Sequence, residues 1–321
     1  MEYSQGDKKL LFIGSTCVDV RINIDHLPAT AEDVNVDGQH MALGGCAFNA
    51  SEIARLLGVP YTLFSPVGTG AYGDFVRHEL TGRGVCTPIP PVQRDNGCCY
   101  CFVERGGERT FLSYHGAEYA FDAAWFDALD ACEYDMAYVC GLEIEEPTGA
   151  AIIDFLEHHR ELTVFFAPGS RISHITHDCM MRLLALHPVL HLNEEEVRCA
   201  ARELCGVCSE DPARAAAAIS GKFDVTVVVT LGADGCLYER AGERGCIASE
   251  PVHVVDTIGA GDSHVGAMMC ALKHGLSLEE ALRVANRVAA ATVQTAGATP
   301  DARFLAGMLG YCGGGVAVML Q

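Results

Sequence analysis

Short apolar runs that alternate with amphipathic helical stretches constrain this chain more than any other feature. Leu10–Gly14, Tyr61–Val67, Tyr134–Cys140, Leu162–Ala167, Pro188–Leu192 and Val225–Thr230 are such runs, and helical patterns lie between them. Parallel neighbours need a crossover of a dozen or more residues, and helices on both faces leave strands apolar throughout. The pattern therefore predicts an α/β fold with a parallel sheet covered by helices. Gly45–Gly58 reads as a helix, with Ala47, Ala50, Ile53, Ala54 and Leu57 on one face and Gly58 closing it. Tyr72–Arg83, Gly259–His274 and Leu278–Thr295 read likewise. Two stretches, Cys17–Met41 and Thr87–His115, break the rhythm with strands and turns, Val18, Val20, Ile22 and Ile24 alternating in the first. They predict an antiparallel flap that buries little by itself and stays mobile until a ligand supplies contacts. Gly313–Gly315 reads as a mobile segment or a tight turn.

Composition narrows the function classes. At 321 residues the chain can form one large domain or two smaller ones, and either buries an ample core. No apolar run reaches membrane-spanning length, and residues 1–9 lack the cationic-then-apolar layout of a signal peptide. A net charge of −20 argues against nucleic-acid or anionic-membrane partners, which need clustered Lys and Arg. Any phosphate site must then rely on backbone dipoles, a divalent cation and a few local cations. The sixteen cysteines fit a cytoplasmic protein that keeps them reduced as small apolar fillers. Cys98-Cys99-Tyr100-Cys101 lies in a strand-like stretch, and Cys205-Gly-Val-Cys208 lacks a second pair at zinc spacing, so both read as packing.

The run Asp256-Thr-Ile-Gly-Ala-Gly-Asp262 carries chemistry. Val265, Met268, Met269 and Leu272 recur at helical spacing behind it, so a helix starts near Gly259–Gly261. Unpaired N–H groups and the positive end of the helix dipole attract an anion there. Gly259 and Gly261 let a phosphate approach the backbone, and Gly261 is a candidate for positive φ. A carboxylate beside a phosphate nest repels the ligand, but Asp262 suits a general base that deprotonates a hydroxyl attacking the phosphoryl group. A formal G-x-G-x-x-G at Gly68-Thr-Gly70-Ala-Tyr-Gly73 suggests a dinucleotide site instead. The proline-broken Val85–Pro91 that follows argues for a structural turn, and no G-x-x-x-x-G-K-[ST] occurs.

With these motifs in hand, the chain resembles the ribokinase-like (PfkB-type) carbohydrate kinases. Asp256–Asp262 matches their D-T-x-G-A-G-D, Gly44-Gly45-Cys-Ala-Phe-Asn49 is similar to G-G-x-x-x-N, Asn193–Glu196 matches N-x-x-E, and Thr230–Gly235 matches T-x-G-x-x-G. The four occur in family order across almost the whole chain. The resemblance implies a three-layer α/β/α fold with a mostly parallel central sheet and a small antiparallel β lid. It implies a single kinase domain over residues 8–312, with lid segments at about 17–41 and 87–115. It further implies ATP-dependent transfer to a primary hydroxyl of a sugar or sugar-like molecule in the cytoplasm, without nucleic acid or membrane, by a homodimer formed through the lid. A nucleoside kinase of the same family is the nearest alternative, and a non-catalytic sugar- or nucleotide-binding regulator the alternative of another class; an intact Asp262 argues against the second.

Carried over position by position, Asp262 is the base, and the N–H groups of Gly259, Ala260, Gly261 and Asp262 form the anion hole. Asp19, Gly44, Gly45 and Asn49 would hold the acceptor. Asn193, Thr230, Gly232, Gly235 and Asn286 would line ATP, although Asn193 also reads as a helix N-cap. Glu196 would hold Mg²⁺ through water, and Asp256 would contribute to a monovalent-cation (K⁺) site. Phe48 departs from the ribokinase pattern and hints at an apolar group on the acceptor, on which Tyr100, Phe102, Phe111 or Tyr114 would stack. Arg171 reads as a contact for an acidic or phosphorylated substrate or as an ordinary surface arginine, and Arg109, His264 and Ala167 lie near the expected site without an assigned role.

Overall fold

The computed structural model describes residues 8–309. Residues 1–7, the last three positions of the expected domain and Gly313–Gly315 lie outside the described residues. In chain order the strands are β1 (Lys9–Ile13), β2 (Cys17–Ile24), β3 (Gly38–Gly44), β4 (Tyr61–Phe64), β5 (Cys98–Glu104), β6 (Arg109–Tyr114), β7 (Tyr134–Cys140), β8 (Thr163–Ala167), β9 (Val189–Asn193), β10 (Thr226–Thr230), β11 (Cys236–Arg240) and β12 (Glu243–Ile247). The α-helices are α1 (Cys46–Leu57), α2 (Ala71–Gly82), α3 (Gly141–Ile144), α4 (Gly149–His158), α5 (His177–Leu184), α6 (Glu194–Cys205), α7 (Pro212–Phe223), α8 (Ala260–Lys273), α9 (Leu278–Thr292) and α10 (Ala302–Leu309).

The main sheet runs β12-β11-β10-β9-β8-β7-β1-β4. Its strands from β10 to β4 are mutually parallel, and β11 and β12 close one side as an antiparallel hairpin. Alternation along β1 divides the core. Leu10 and Phe12 face α1, α8 and α9, whereas Leu11 and Ile13 face α4 to α7. The chain leaves β1 for β4 on one side and β7 for β8 on the other, so the strand order reverses between β1 and β7. A crevice opens beyond the carboxyl ends of strands at such a point.

The predicted elements are found with shifts that have local causes. The strand expected over Tyr61–Val67 ends at Phe64, just before Ser65-Pro66, where a proline withdraws a ladder donor. The charged β11–β12 hairpin gave no apolar run to read. Its signal was the Ala241–Gly242 turn, left-handed at both residues (φ 50° and 81°), as a two-residue hairpin requires.

The two irregular stretches form a separate four-stranded sheet in the order β3-β2-β5-β6. The outer pairs are antiparallel, as expected of a flap, but β2 and β5 pair in parallel. The expectation that these segments bury little fails for β2. Val18, Val20 and Ile24 are buried, and the lid's back packs on α2, where Tyr72 Oη and Tyr100 Oη lie 3.1 Å apart. The opposite face of this small sheet, carrying Asp19 and Arg21, turns towards the crevice.

Candidate active site

Two helix N-termini meet at the reversal point. α8 begins at Gly259, whose φ of 72° is left-handed, so the positive φ considered at Gly261 belongs to Gly259. A Cβ on Gly259 would stand 2.1 Å from the Ala298 carbonyl oxygen, so only glycine makes this turn. Gly261 has ordinary helical φ, and a Cβ there would meet nothing within 4 Å, because it points into open cavity. One turn later α8 crosses α1 so closely that a Cβ on Gly266 would lie 2.4 Å from the Ala50 carbonyl. That approach brings Asn49, the residue before Ala50, to Asp262, one turn before Gly266. Asn49 Nδ2 donates to Asp262 Oδ2 at 2.9 Å.

Burial pushes the Asp262 carboxyl up to about 6, against the hydrogen bonds from Asn49 and Cys46. Asp19 is also raised to about 6, by burial first and then by the charges of Asp262 and Asp256. Asp19 sits on β2 with Gly44 beside it on β3, where a Cβ would lie 2.2 Å from its carboxylate. Gly44 therefore makes room for Asp19, and Gly45 turns the chain from β3 into α1 with φ 99°.

A further acid, missed in the sequence, stands at the same edge. Glu143 is fully buried beyond the end of β7 and accepts from the Ser15 N–H at 2.7 Å. Its carboxyl is raised to about 7 by burial, with the Asp262 charge adding to this. Its position three residues past a buried parallel strand was the available signal. Among the described residues, Glu143 Oε2, Ser15 Oγ and Asn49 Oδ1 are buried without a hydrogen-bond partner, a costly state that a polar ligand or water would relieve.

Two cavities flank the start of α8. The larger, about 410 Å³, is lined by Thr230, Gly232, Gly235, Gly261, Asn286 and an apolar wall including Val252 and Val293. The smaller, about 230 Å³, lies between the lid and the loop around Asp256, with Asp19 in its lining. Asn286 reaches the larger cavity with its amide committed elsewhere. Nδ2 donates to the Ile247 carbonyl at 3.0 Å, so Oδ1 accepts from His264 Nε2 at 3.1 Å. His264 Nδ1 then accepts from His191 Nε2 at 2.9 Å. Burial lowers both imidazoles, His264 to about 4, and this neutral chain ties α8 to β9 and α9.

Asn193 and Glu196 form a reciprocal capping box at the start of α6. Asn193 is therefore an N-cap and is absent from the larger cavity's lining. The Glu196 carboxyl is raised, by burial first and partly by the Asp262 charge. Its Oε2 accepts from Asn193 N–H at 2.9 Å and its Oε1 from Asn193 Nδ2 at 2.8 Å, and each carboxylate oxygen keeps a second lone pair that could meet the water shell of a Mg²⁺. Asp256 fits a monovalent cation less well. Its Oδ1 accepts from Arg109 Nη1 at 2.5 Å and from Ile258 N–H at 3.0 Å, and its Oδ2 from Gly297 N–H at 3.1 Å. The cation on this buried carboxylate is a guanidinium reaching across from β6 of the lid.

Other sequence expectations change here. Phe48 is buried in the core with the Arg83 guanidinium 5.9 Å from its ring, and it lines neither cavity. Helix periodicity could not separate it from a ligand contact. Of the four lid aromatics only Phe111 lines the smaller cavity. Arg171 is spent on Glu145 at 3.0 Å. The turn Gly68–Gly73 is closed by Asp95 and Asn96, which accept from Gly73 and Gly68 N–H at 2.8 and 2.7 Å. It is the structural turn expected.

Comparison with known proteins agrees with this architecture. The family model described as pfkB family carbohydrate kinase matches residues 7–303. The chain is 31% identical to an uncharacterized sugar kinase, YegV, of Escherichia coli K12, over 88% of this chain and 87% of that protein. It is 28% identical to mouse ribokinase over 90% of each. Ribokinase from Thermotoga maritima superposes with a TM-score of 0.83 at 21% identity, covering 95% of this chain and all of that one. An Arabidopsis thaliana ribokinase complexed with ribose and ATP superposes with a TM-score of 0.76 at 22% identity, covering 96% and 100%. With its ribokinase-like fold and this match over nearly its whole length, the chain belongs to the pfkB family of carbohydrate kinases and is a sugar kinase.

Proposed function

We propose that the protein transfers the γ-phosphoryl group of ATP to a primary hydroxyl of a small sugar-like acceptor. The observation that carries this reading is Asp262, half-buried in the first turn of α8, held by Asn49 and next in sequence to Gly261 of the larger cavity's lining. The larger cavity, with its apolar wall and the Thr230–Gly235 turn, would take the nucleotide. The smaller one, with Asp19 in its lining, would take the acceptor, while Asn49, Ser15 and Glu143 lie outside that lining and would meet a hydroxyl only where the acceptor reaches past the cavity towards α8.

Asp262 takes the hydroxyl proton as the oxygen attacks the γ-phosphorus. The bond from phosphorus to the bridging β–γ oxygen breaks, and ADP leaves with that electron pair. N–H groups at the start of α8 would receive the charge on the transferring group. Mg²⁺, held near Glu196 through water, would offset phosphate charge. A base raised to about 6 is ionised at neutral pH yet basic enough to accept a proton.

With Phe48 in the core, the apolar-acceptor idea behind the nucleoside alternative rests on Phe111, the lid aromatic that lines the smaller cavity. Free thiols at every described cysteine support a reducing, cytoplasmic setting. No described helix is long and apolar enough to cross a membrane. Leu112 and Tyr114, exposed on the edge strand β6, support pairing of two copies through the lid.

The test is ADP release in a coupled assay over pentoses, hexoses, sugar acids, sugar phosphates and nucleosides. Asp262→Asn keeps the size and removes the base, so turnover on the true acceptor should fall roughly 10²–10⁴-fold while ADP binding survives. Near-full turnover by that variant would sink the assignment.

A further inference from the structure

Resting on the kinase reading above, we infer that the acceptor carries an anionic group, a carboxylate or a phosphate, and that Arg21 of the lid binds it. Asp19 and Arg21 are two residues apart on β2 and share the face turned into the smaller cavity. His40 of β3 lies directly opposite Arg21, and Cys101 of β5 lies opposite on the other side. The cavity floor therefore offers a hydroxyl-binding carboxylate at one position and a guanidinium flanked by an imidazole one step further from the start of α8.

Two arginines reach this cavity, and their states differ. Arg109 is neutralised by Asp256. Arg21 makes no ion pair or hydrogen bond among the described residues, and its Nε is buried without a partner. The contrast is informative in a chain with 42 acidic residues against 22 Lys and Arg, where a guanidinium finds a carboxylate easily. Arg21 is half-buried, a buried N–H of a charged group left unmade is costly, and the planar fork of arginine pairs best with two oxygens of one carboxylate or phosphate. A neutral hydroxyl would satisfy one N–H and leave the charge uncompensated. The volume of about 230 Å³ is below the ~300–1,000 Å³ of sites for drug-sized ligands, which suits a small charged sugar.

The experiment uses the full chain with Mg²⁺-ATP and three matched acceptor panels: neutral aldoses and ketoses, the corresponding sugar acids, and the corresponding sugar monophosphates. We expect kcat/KM at least about a hundredfold higher in one anionic panel, the better panel naming carboxylate or phosphate. Arg21→Gln should raise KM for that acceptor roughly 10–100-fold with little change in kcat, and Arg21→Lys should fall between. Circular dichroism and the KM for ATP report whether each variant is intact, and calorimetric binding of the acceptor without nucleotide reads the same contact apart from turnover. If neutral sugars are used as well as anionic ones in an Asp262-dependent way, the anionic acceptor is refuted and the kinase reading stands. An unchanged KM in Arg21→Gln refutes the role of Arg21. If no panel gives ADP release above the Asp262→Asn background, both readings fall.

Discussion

Gly259 and Gly261 are two residues apart in one motif, yet alanine should have opposite effects at each. At Gly259 it would adopt a left-handed conformation, which costs a residue with a Cβ about 1–2 kcal/mol. Its Cβ would also meet a backbone carbonyl at 2.1 Å, where no side-chain rotation gives relief. A loss of about 3 kcal/mol or more follows, near the upper end of ordinary single-site effects. At Gly261 the φ is helical and the space is open, so alanine should stabilise by roughly 0.5–1 kcal/mol through helix propensity. That same open space is where a phosphoryl group must approach the start of α8, and the new methyl would hold it away. Turnover should fall by about 10²–10³, the scale for loss of one oxyanion-stabilising donor. Urea denaturation gives the stability change and coupled ADP release gives the turnover. A Gly261→Ala protein as active as the parent would place the phosphoryl group elsewhere. One that unfolds would make this glycine structural and refute the geometric argument.

Activity should also fall with acid. Base catalysis needs the ionised carboxylate, and both Asp262 and Asp19 are raised to about 6, so kcat/KM for the acceptor should decline below pH ~6 with a slope between one and two. A profile flat to pH 4.5 in protein still folded by circular dichroism would contradict this. Gly266→Ala should wedge α8 from α1, lowering stability by about 1–3 kcal/mol and turnover with it, because Asn49 then loses Asp262. Equal activity at lower stability would show that this hydrogen bond is dispensable. Arg109→Ala leaves Asp256 buried without its cation, so a loss of about 3 kcal/mol is expected, with partial rescue by K⁺ but not by a bulky organic cation. Identical melting in both salts would argue against a cation site at that carboxylate.

The sequence by itself determined the α/β class, the helix at Cys46–Leu57 with its glycine cap, the start of α8, and the candidacy of Asp262, Asp19 and Asn49. These were legible because period, capping and loop composition act over a few residues, and ordered motifs narrow the chemistry. Tertiary structure decided what depends on which distant groups meet. Glu143 became a site residue only when β7 ended beside β1. Asn286 and His264, both in the lining of the larger cavity, found hydrogen-bond partners in each other, in His191 and in a backbone carbonyl. Phe48 turned into the core although its place in the glycine motif pointed to the acceptor, because one helix face carries both kinds of position. Arg109 and Arg21 differ in their partners and not in their residue type. Asp256, 147 positions away, took the first, and among the described residues no carboxylate folded onto the second. Charge pairing across such separations is a property of the packed chain, and no local window of residues contains it.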